Sequence, residues 1–461
     1  MNLGKFMTVC RKTFSRINFE RVFALGYKSR YPQRQLLVGY AVYSLMGTLL
    51  LLLPWCHTHT IAVIDHLFTA VSALSTTGLA TVDVTNDYTF LGQFVILGLI
   101  QLGGLGYLTF SSYIMFRLTH HLGTSKAQLF HAQFAFPDKM ESDQMVGYIV
   151  NFALGFELFG FLLLYPYFLS EGIEQPLWSA IFHTISAFCT AGFSIYSDNL
   201  MQFQNDVYIN LVIAMLSYMG AMGFILMTDL MHKLTNKGYQ VTFTTKVIVA
   251  ITSLLTLWST AHLFFFESSL QALPVGKRLL SAWFHAMSAI TTVGFNTVDV
   301  GQMTSISLLI LSFTMYIGAS PSGTGGGLKS TTLSAIFAYT KNKLGLRKNI
   351  TFAGHQVPAY RVDAALTTFV FYSFILLFGI YLIALFEQDD TDFLKLLFEA
   401  SSALATAGLS SGILPSVGVG SKIVLILMMF IGRVGVITVG NVMLFRAHSK
   451  TGKNRGSDLV I

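Results

Sequence analysis

The sequence predicts an all-α membrane protein of eight transmembrane helices. It is organised as four repeats of an outer helix, a re-entrant helix, a loop and an inner helix around a central pore. Three observations carry this prediction. Of the 461 residues, 53% are hydrophobic and only 11% are charged, whereas a soluble domain has roughly 25% charged residues. Eight apolar runs are spread along the chain, and one twelve-residue motif recurs four times between them.

The apolar runs predict the membrane spans. They cover residues 36–54, 90–115, 146–169, 207–230, 247–266, 306–317, 366–386 and 423–445. Most approach or exceed the ~20 residues that an α-helix needs to cross a hydrocarbon core of roughly 30 Å. The sixth run is short, because apolar sequence stops at Ile317 and resumes further along the chain. We therefore expect eight spans, of which the sixth is broken.

The repeated motif reads F-x-x-x-S-A-x-x-T-x-G-[LF] and begins at Phe68, Phe182, Phe284 and Phe398, at intervals of 114, 102 and 114 residues. Its Phe and Ser lie four apart, so they share one face of a helix. Its Gly tolerates positive φ and is expected to end that helix. About 12 helical residues span only ~18 Å, which is too short to cross. Each copy is thus predicted to enter the membrane as a short pore helix and turn back at T-x-G, where protein or water must surround the bare backbone.

Charge predicts the topology. Of the 29 basic residues, 23 fall in the N-terminal stretch, the even-numbered connections and the tail, so both termini and those connections are expected to be cytoplasmic. The net charge of +7 then reflects orientation and anionic lipid rather than nucleic acid. No cleavable signal peptide is expected, because the first 34 residues lack an apolar core. No disulfide is expected among Cys10, Cys56 and Cys189.

These signals divide the chain into nine segments. They are a basic cytoplasmic N-terminus (1–34), repeat 1 (35–117), a cytoplasmic loop (118–144), repeat 2 (145–231), a cytoplasmic loop (232–245), repeat 3 with a broken inner helix (246–340), a cytoplasmic loop (341–362), repeat 4 (363–446) and a cytoplasmic tail (447–461). The loop 118–144 contains His120, His121 and His131, which are too weak a pattern to predict a metal site.

Paired glycines mark the inner helices. Gly103-Gly-Leu-Gly106, Gly220-Ala-Met-Gly223 and Gly432-Arg-Val-Gly435 fall 24 to 28 residues after the motif Gly of their repeats. The third repeat has Gly318-Ala-Ser-Pro321 at that place. Such glycines either let helices pack closely or let the inner helix bend, and the sequence leaves both interpretations open.

The third inner span contains a segment that cannot remain helical, residues 318–330, called here the glycine loop. Its residues expected to matter are Gly318, Pro321, Gly323, Gly325, Gly326, Gly327 and Lys329. A run of Gly with Pro breaks a helix, and a broken helix at membrane depth is typical of a transport pathway. The segment lacks the G-x-x-x-x-G-K-[ST] order of a phosphate-binding loop, and no strand precedes it.

Four re-entrant helices in one chain can close around an axis with pseudo-fourfold symmetry. The turns then present backbone carbonyls to the axis, and such rings replace the hydration shell of a cation. The predicted filter residues are Thr76, Thr77, Gly78, Thr190, Ala191, Gly192, Thr292, Val293, Gly294, Thr406, Ala407 and Gly408. Helix C-termini favour a cation there, and the lack of acidic rings favours a monovalent one. The alternative is that the four glycines only serve packing.

With eight spans and four single-glycine pore loops, residues 35–450 resemble the Trk/Ktr/HKT superfamily of potassium transporters. The chain lacks the two extra N-terminal spans of Trk-type subunits and is most similar to the membrane subunit of bacterial Ktr systems. The resemblance implies K⁺ bound at the filter carbonyls, stimulation by Na⁺, and no organic cofactor in this chain. It also implies a homodimer in the bacterial inner membrane that works with a cytosolic, KtrA-like regulatory subunit binding ATP or ADP. In that family the broken segment is the intramembrane gate.

Arg433 stands within the last apolar run, inside the fourth glycine pair. An arginine at bilayer depth costs at least ~2.5 kcal/mol on insertion scales, so it should face the bundle interior. We expect it to bind free carbonyls of the glycine loop and to act with that loop as one gate. An arginine that snorkels or pairs elsewhere is the alternative.

Other functions are disfavoured by the sequence. A secondary transporter that couples K⁺ to Na⁺ or H⁺ remains the competing hypothesis, although four equivalent loops argue against a mobile core. An enzyme is not expected, because intramembrane acids such as Glu157, Asp229 and Glu399 are scattered. His183 and His285 occupy one register of two pore helices, with Thr69 and Glu399 in the others. That register predicts polar support behind the turns.

Overall fold

The computed structural model describes residues 32–106, 142–236, 238–318, 320–346, 349–387 and 392–444. Within these ranges the regular secondary structure is helical, apart from the strands Thr351–Phe352 and His355–Gln356, which form one small antiparallel hairpin. The N-terminal segment, the histidines of the loop 118–144 and the tail fall outside the described residues.

Each repeat contains the four predicted parts. The outer helices are Pro32–Leu51, Ser142–Ser170, Phe243–Phe266 and Ala359–Glu387. The pore helices are Val63–Leu74, Pro176–Phe188, Val275–Thr291 and Phe393–Leu404. The inner helices are Phe90–Leu105, Val207–Thr235, Ser305–Ile317 continued by Ser330–Leu344, and Val419–Val434 continued by Val436–Leu444. Short helical turns between pore and inner helices are Val84–Asp87, Met201–Phe203, Val300–Gln302 and Leu414–Ser416, and Ser268–Gln271 precedes the third pore helix.

The helices account for the predicted spans in different ways. Among the described residues, five helices are long and apolar enough to cross a membrane, and the bent pair that begins at Val419 makes a sixth. Two shorter apolar helices, Phe90–Leu105 and Ser305–Ile317, are the first and third inner helices. The first inner helix is described only to its cap at Gly106, so the remainder of the run 90–115 is outside the described part.

Two inner helices besides the third break at the second glycine of their pairs. The fourth bends by 101° between Val434 and Val436, and the second has non-helical backbone at Gly223. Gly435 and Gly223 have φ of 96° and 72°, a region that side chains other than glycine rarely adopt. Bending, one of the two interpretations that the sequence leaves open for the paired glycines, is thus present in these two helices. The predicted break of the third inner helix, between Ile317 and Ser330, is also present.

The pore helices form the centre of the protein. The motif phenylalanines Phe68, Phe182, Phe284 and Phe398 are completely buried, and so are the small residues of the Ser-Ala pairs. Each inner helix packs against the pore helix of the next repeat, and the fourth inner helix packs against the first pore helix. The repeats thus form a closed ring.

Candidate functional site

All four pore helices end in the same backbone motif. In the first, Thr76 N donates to Ala73 O at 3.1 Å and Thr77 N donates to Ser72 O at 2.8 Å. These two bonds define a Schellman cap. The corresponding pairs of bonds are present after Phe188, Thr291 and Leu404. The carbonyls of the constant Ser-Ala pair of the motif thus accept the two capping hydrogen bonds.

The turn begins two residues earlier than the sequence predicted. Thr76, Thr190, Thr292 and Thr406 are the residues with left-handed backbone, at φ of 52°, 52°, 55° and 47°. The motif glycine therefore does not end the helix, because the threonine two residues before it already has. Positive φ is a genuine outlier for a β-branched residue, and such strain concentrates at functional sites.

The motif glycines then bring the four loops together. Gly78, Gly192, Gly294 and Gly408 have φ of 94°, 65°, 87° and 84°. A Cβ on each would overlap the carbonyl oxygen of the residue that precedes the motif glycine in the next repeat, in the order Ala191, Val293, Ala407 and Thr77. The structure thus places all twelve predicted filter residues in one ring of backbone.

Polar side chains hold the chain that leaves this ring. His183 Nε2 lies 2.9 Å from Ser194 Oγ, and Thr297 N donates to His285 Nε2 at 3.4 Å. In repeat 4, Glu399 Oε1 accepts bonds from the Ser411 amide at 2.7 Å and from Ser410 Oγ at 2.8 Å. Of the four side chains that follow the motif phenylalanines, three therefore contact the segment that follows the predicted filter turn.

The inner glycines serve both purposes that the sequence left open. A Cβ on Gly103, Gly220 or Gly432 would overlap the carbonyl of the last helical residue of its own repeat's pore helix, which is Leu74, Phe188 or Leu404. Glycine is required there by close packing. The second glycine of each pair, Gly106, Gly223 or Gly435, has positive φ. In the second and fourth repeats this glycine is where the inner helix bends.

The glycine loop lies directly against the ring. Gly326 N donates to Thr292 Oγ1 at 2.8 Å, and Thr190 Oγ1 donates to Thr324 Oγ1 at 3.0 Å. On the other side, Thr324 N donates to Gly220 O at 3.0 Å. The loop is thus bonded to the filter threonines of repeats 2 and 3, a contact that the sequence did not predict.

Two cations lie beside the loop. Arg433 Nη1 donates to Thr324 O and Nη2 donates to Gly103 O, so the predicted contact between this arginine and the loop is present. Lys329 Nζ donates to Gly325 O at 2.8 Å and to Gly326 O at 3.3 Å. Each cation therefore satisfies carbonyls that the broken helix leaves without helical partners.

A cavity of ≈ 210 Å³ is lined by the glycine loop, Gly103–Gly106 and the bend of the fourth inner helix. Among its described lining residues, the charged ones are Lys329 and Arg433. The predicted loop residues Pro321, Gly323, Gly325 and Gly326 also line it, while Gly318 and Gly327 pack against each other.

The scattered intramembrane acids have local partners. Glu157 accepts two hydrogen bonds from Gln101 Nε2, at 2.9 and 3.0 Å, and Asp229 accepts bonds from Tyr239 and Thr242. In the parts of the chain that the structure describes, no group of three or more His, Cys, Asp or Glu side chains is placed to hold a metal ion.

Comparison with known proteins identifies the family. A model of the TrkH family, described as cation transport protein, matches residues 28–454. The chain belongs to the TrkH family of cation transport proteins. It is 33% identical to the Ktr system potassium uptake protein B of Bacillus subtilis (strain 168) over 416 residues, which cover 88% of this chain and 92% of that protein.

One further relative supports the assignment, and a solved structure supports the fold. The potassium/sodium uptake protein NtpJ of Enterococcus hirae is 30% identical over 434 residues, covering 90% of this chain and 94% of that protein. The crystal structure of the potassium transporter TrkH from Vibrio parahaemolyticus has the same fold, with a TM-score of 0.72 and 21% identity, covering 91% of this chain and 85% of that chain. The expected family and fold class are confirmed.

Proposed function

We propose that this chain is the ion-translocating membrane subunit of a potassium uptake system of the Ktr type. The observation that carries the proposal is the closed ring of the four turns. In it, each motif glycine packs against the carbonyl of the residue that precedes the motif glycine of the next repeat. The relatives' names, potassium uptake protein in Bacillus and potassium/sodium uptake protein in Enterococcus, support the choice of ion.

In this proposal the ring is the selectivity filter. Carbonyl oxygens of the four T-x-G turns replace the water of a K⁺ ion, and glycine is required because any side chain would displace the neighbouring carbonyl. The four pore helices end at the ring, so their partially negative C-termini stabilise a cation there.

The glycine loop, with Lys329 and Arg433, is proposed to be the gate. Its bonds to Thr190 and Thr292 fix it beneath the filter. The two positive side chains line the same cavity, so a cation entering that cavity meets repulsion until the loop moves. A loop held by hydrogen bonds rather than by helix continuity opens without unfolding a span.

Regulation is proposed to come from outside this chain. We propose a homodimer in the bacterial inner membrane, both termini cytoplasmic, bound to a KtrA-like cytosolic subunit that senses ATP or ADP, with Na⁺ as stimulator. Moving one charge through 100 mV is worth about 2.3 kcal/mol, so an unregulated pore would dissipate the membrane potential. Transport, not catalysis, is the proposed activity.

Rubidium uptake tests the proposal. Potassium-starved cells lacking their own uptake systems would express the chain with and without the cytosolic partner and external sodium. We expect ⁸⁶Rb⁺ uptake that external K⁺ suppresses more strongly than equal Na⁺. Purified protein in liposomes should carry Rb⁺ when the membrane potential is the only driving force. Uptake that needs an imposed Na⁺ or H⁺ gradient would instead establish coupled transport.

A further inference from the structure

The ring of repeats has one seam without a covalent connection. The chain joins repeats 1 to 2, 2 to 3 and 3 to 4, whereas repeat 4 meets repeat 1 through non-covalent contacts, among them those of helix Val419–Val434 with helix Val63–Leu74. One of the two ion pairs found in the described residues lies at this seam and joins Lys422 to Asp65. The other joins His59 to Asp87 on the outer loops.

The seam pair is short and mostly buried. Lys422 Nζ lies 2.7 Å from Asp65 Oδ1, and the two side chains keep 11% and 13% of their surface exposed. Thr81 Oγ1 donates to the same oxygen at 2.6 Å. Because Thr81 stands three residues beyond Gly78, one carboxylate oxygen connects the fourth inner helix, the first pore helix and the chain leaving the first filter turn.

Equivalent helix positions at the other seams carry no such pair. Lys422 is the fourth residue after the N-cap of its inner helix, and Gln93, Asn210 and Leu308 occupy that position in the first three repeats. Gln93 accepts a hydrogen bond from Trp178 Nε1 at 2.9 Å. Asn210 bonds to carbonyls of its own repeat, and Leu308 is buried and apolar.

We propose that Asp65 and Lys422 are positioning residues that hold repeat 4 against repeat 1 at this seam. Through Thr81 they also keep the first filter turn at the distance from the pore axis that selects the ion. This inference rests on the proposed function. Removing one partner of a mostly buried ion pair leaves an uncompensated charge, which is strongly unfavourable. The seam then relaxes to hydrate that charge, and the first carbonyl leaves the ring.

The test compares Asp65→Asn, Lys422→Met, their double variant and the charge swap Asp65→Lys/Lys422→Asp. We expect each single change to lower the preference for Rb⁺ over Na⁺ by about tenfold, equivalent to about 1.4 kcal/mol. The double variant should be no worse than either single change, and the swap should recover most of the preference. Lys395→Met is the matched control, because Lys395 stands at the register of Asp65 in the fourth pore helix.

Melting temperatures of the same purified variants provide a second readout. Non-additive effects of the two single changes on Tm support an interaction of Asp65 with Lys422 that stabilises the seam, while additive effects overturn it. A purely structural role would lower Tm and protein yield yet leave the ion preference of the surviving protein unchanged, and that result overturns the filter-positioning part. If the unaltered protein takes up no Rb⁺, the proposed function and the selectivity claim fail together, and the Tm cycle still decides whether the pair closes the ring.

Discussion

Replacing Gly78 with serine perturbs a single point of the ring. Gly78 has φ of 94°, and a Cβ there overlaps Ala191 O. Positive φ costs a side chain roughly 1–2 kcal/mol. The oxygen must also retreat by about 1 Å to reach an ordinary carbon–oxygen contact of about 3.3 Å. Because the oxygen belongs to the adjacent repeat, one substitution disturbs two of the four turns.

We expect Gly78→Ser to reduce the preference for Rb⁺ over Na⁺ by at least about tenfold, or about 1.4 kcal/mol. Competitive ⁸⁶Rb⁺ uptake in cells with equal surface expression measures it. Gly412→Ser is the matched control, because Gly412 has nearly the same φ of 84° and nothing within 4 Å of a Cβ. A mutant at position 78 that discriminates as well as the unaltered protein would refute the assignment of this turn to the filter.

Four further predictions concern the gate, the packing and the partner. Deleting Thr324–Gly327 should raise Rb⁺ flux, because it removes the bonds to Thr190 and Thr292; unchanged flux in a correctly inserted protein would contradict the gate. Arg433→Ala should also raise flux, and adding it to the deletion should gain little, whereas fully additive effects would separate the two. Gly432→Ala should lower Tm because its Cβ overlaps Leu404 O, while Gly98→Ala, which meets nothing within 4 Å, should leave Tm unchanged. Purification with a KtrA-like partner should yield a complex whose flux responds to ATP and ADP, and flux indifferent to both nucleotides would count against it.

Much of the fold follows from local patterns in the sequence. The apolar runs and the fourfold motif were sufficient to place the outer, pore and inner helices, because hydrophobic length and a recurring capped helix are local properties. The bends at Gly223 and Gly435 stayed one of two interpretations, because glycine is also common in straight, closely packed membrane helices. The first glycine of each pair, Gly220 or Gly432, packs against a pore helix more than 20 residues earlier in the chain, a contact that has no local signal in the sequence.

The members of the candidate site and the contact of Arg433 with the glycine loop were predictable, but the other contacts were not. The motif indicated which residues form the ring, yet its conformation differs, because the left-handed position falls on threonine rather than on glycine. Nothing local to Thr292 indicates that it will accept a bond from Gly326, 34 residues away. The Asp65–Lys422 pair, 357 residues apart, depends on ring closure, for which the chain has no local signal.

The ring has four similar turns, but the proposed gate comes from one repeat, and the contacts explain why one is enough. The glycine loop bonds to the filter threonines of repeats 2 and 3, and Gly326 lies against Ala405 O of repeat 4. Arg433 connects the loop to Gly103 O of repeat 1. A second such loop would need the same carbonyls and hydroxyls. The second and fourth inner helices instead bend at a single glycine each, Gly223 and Gly435. The inner helix of repeat 3 is interrupted by a whole segment that is too rich in glycine to refold as helix.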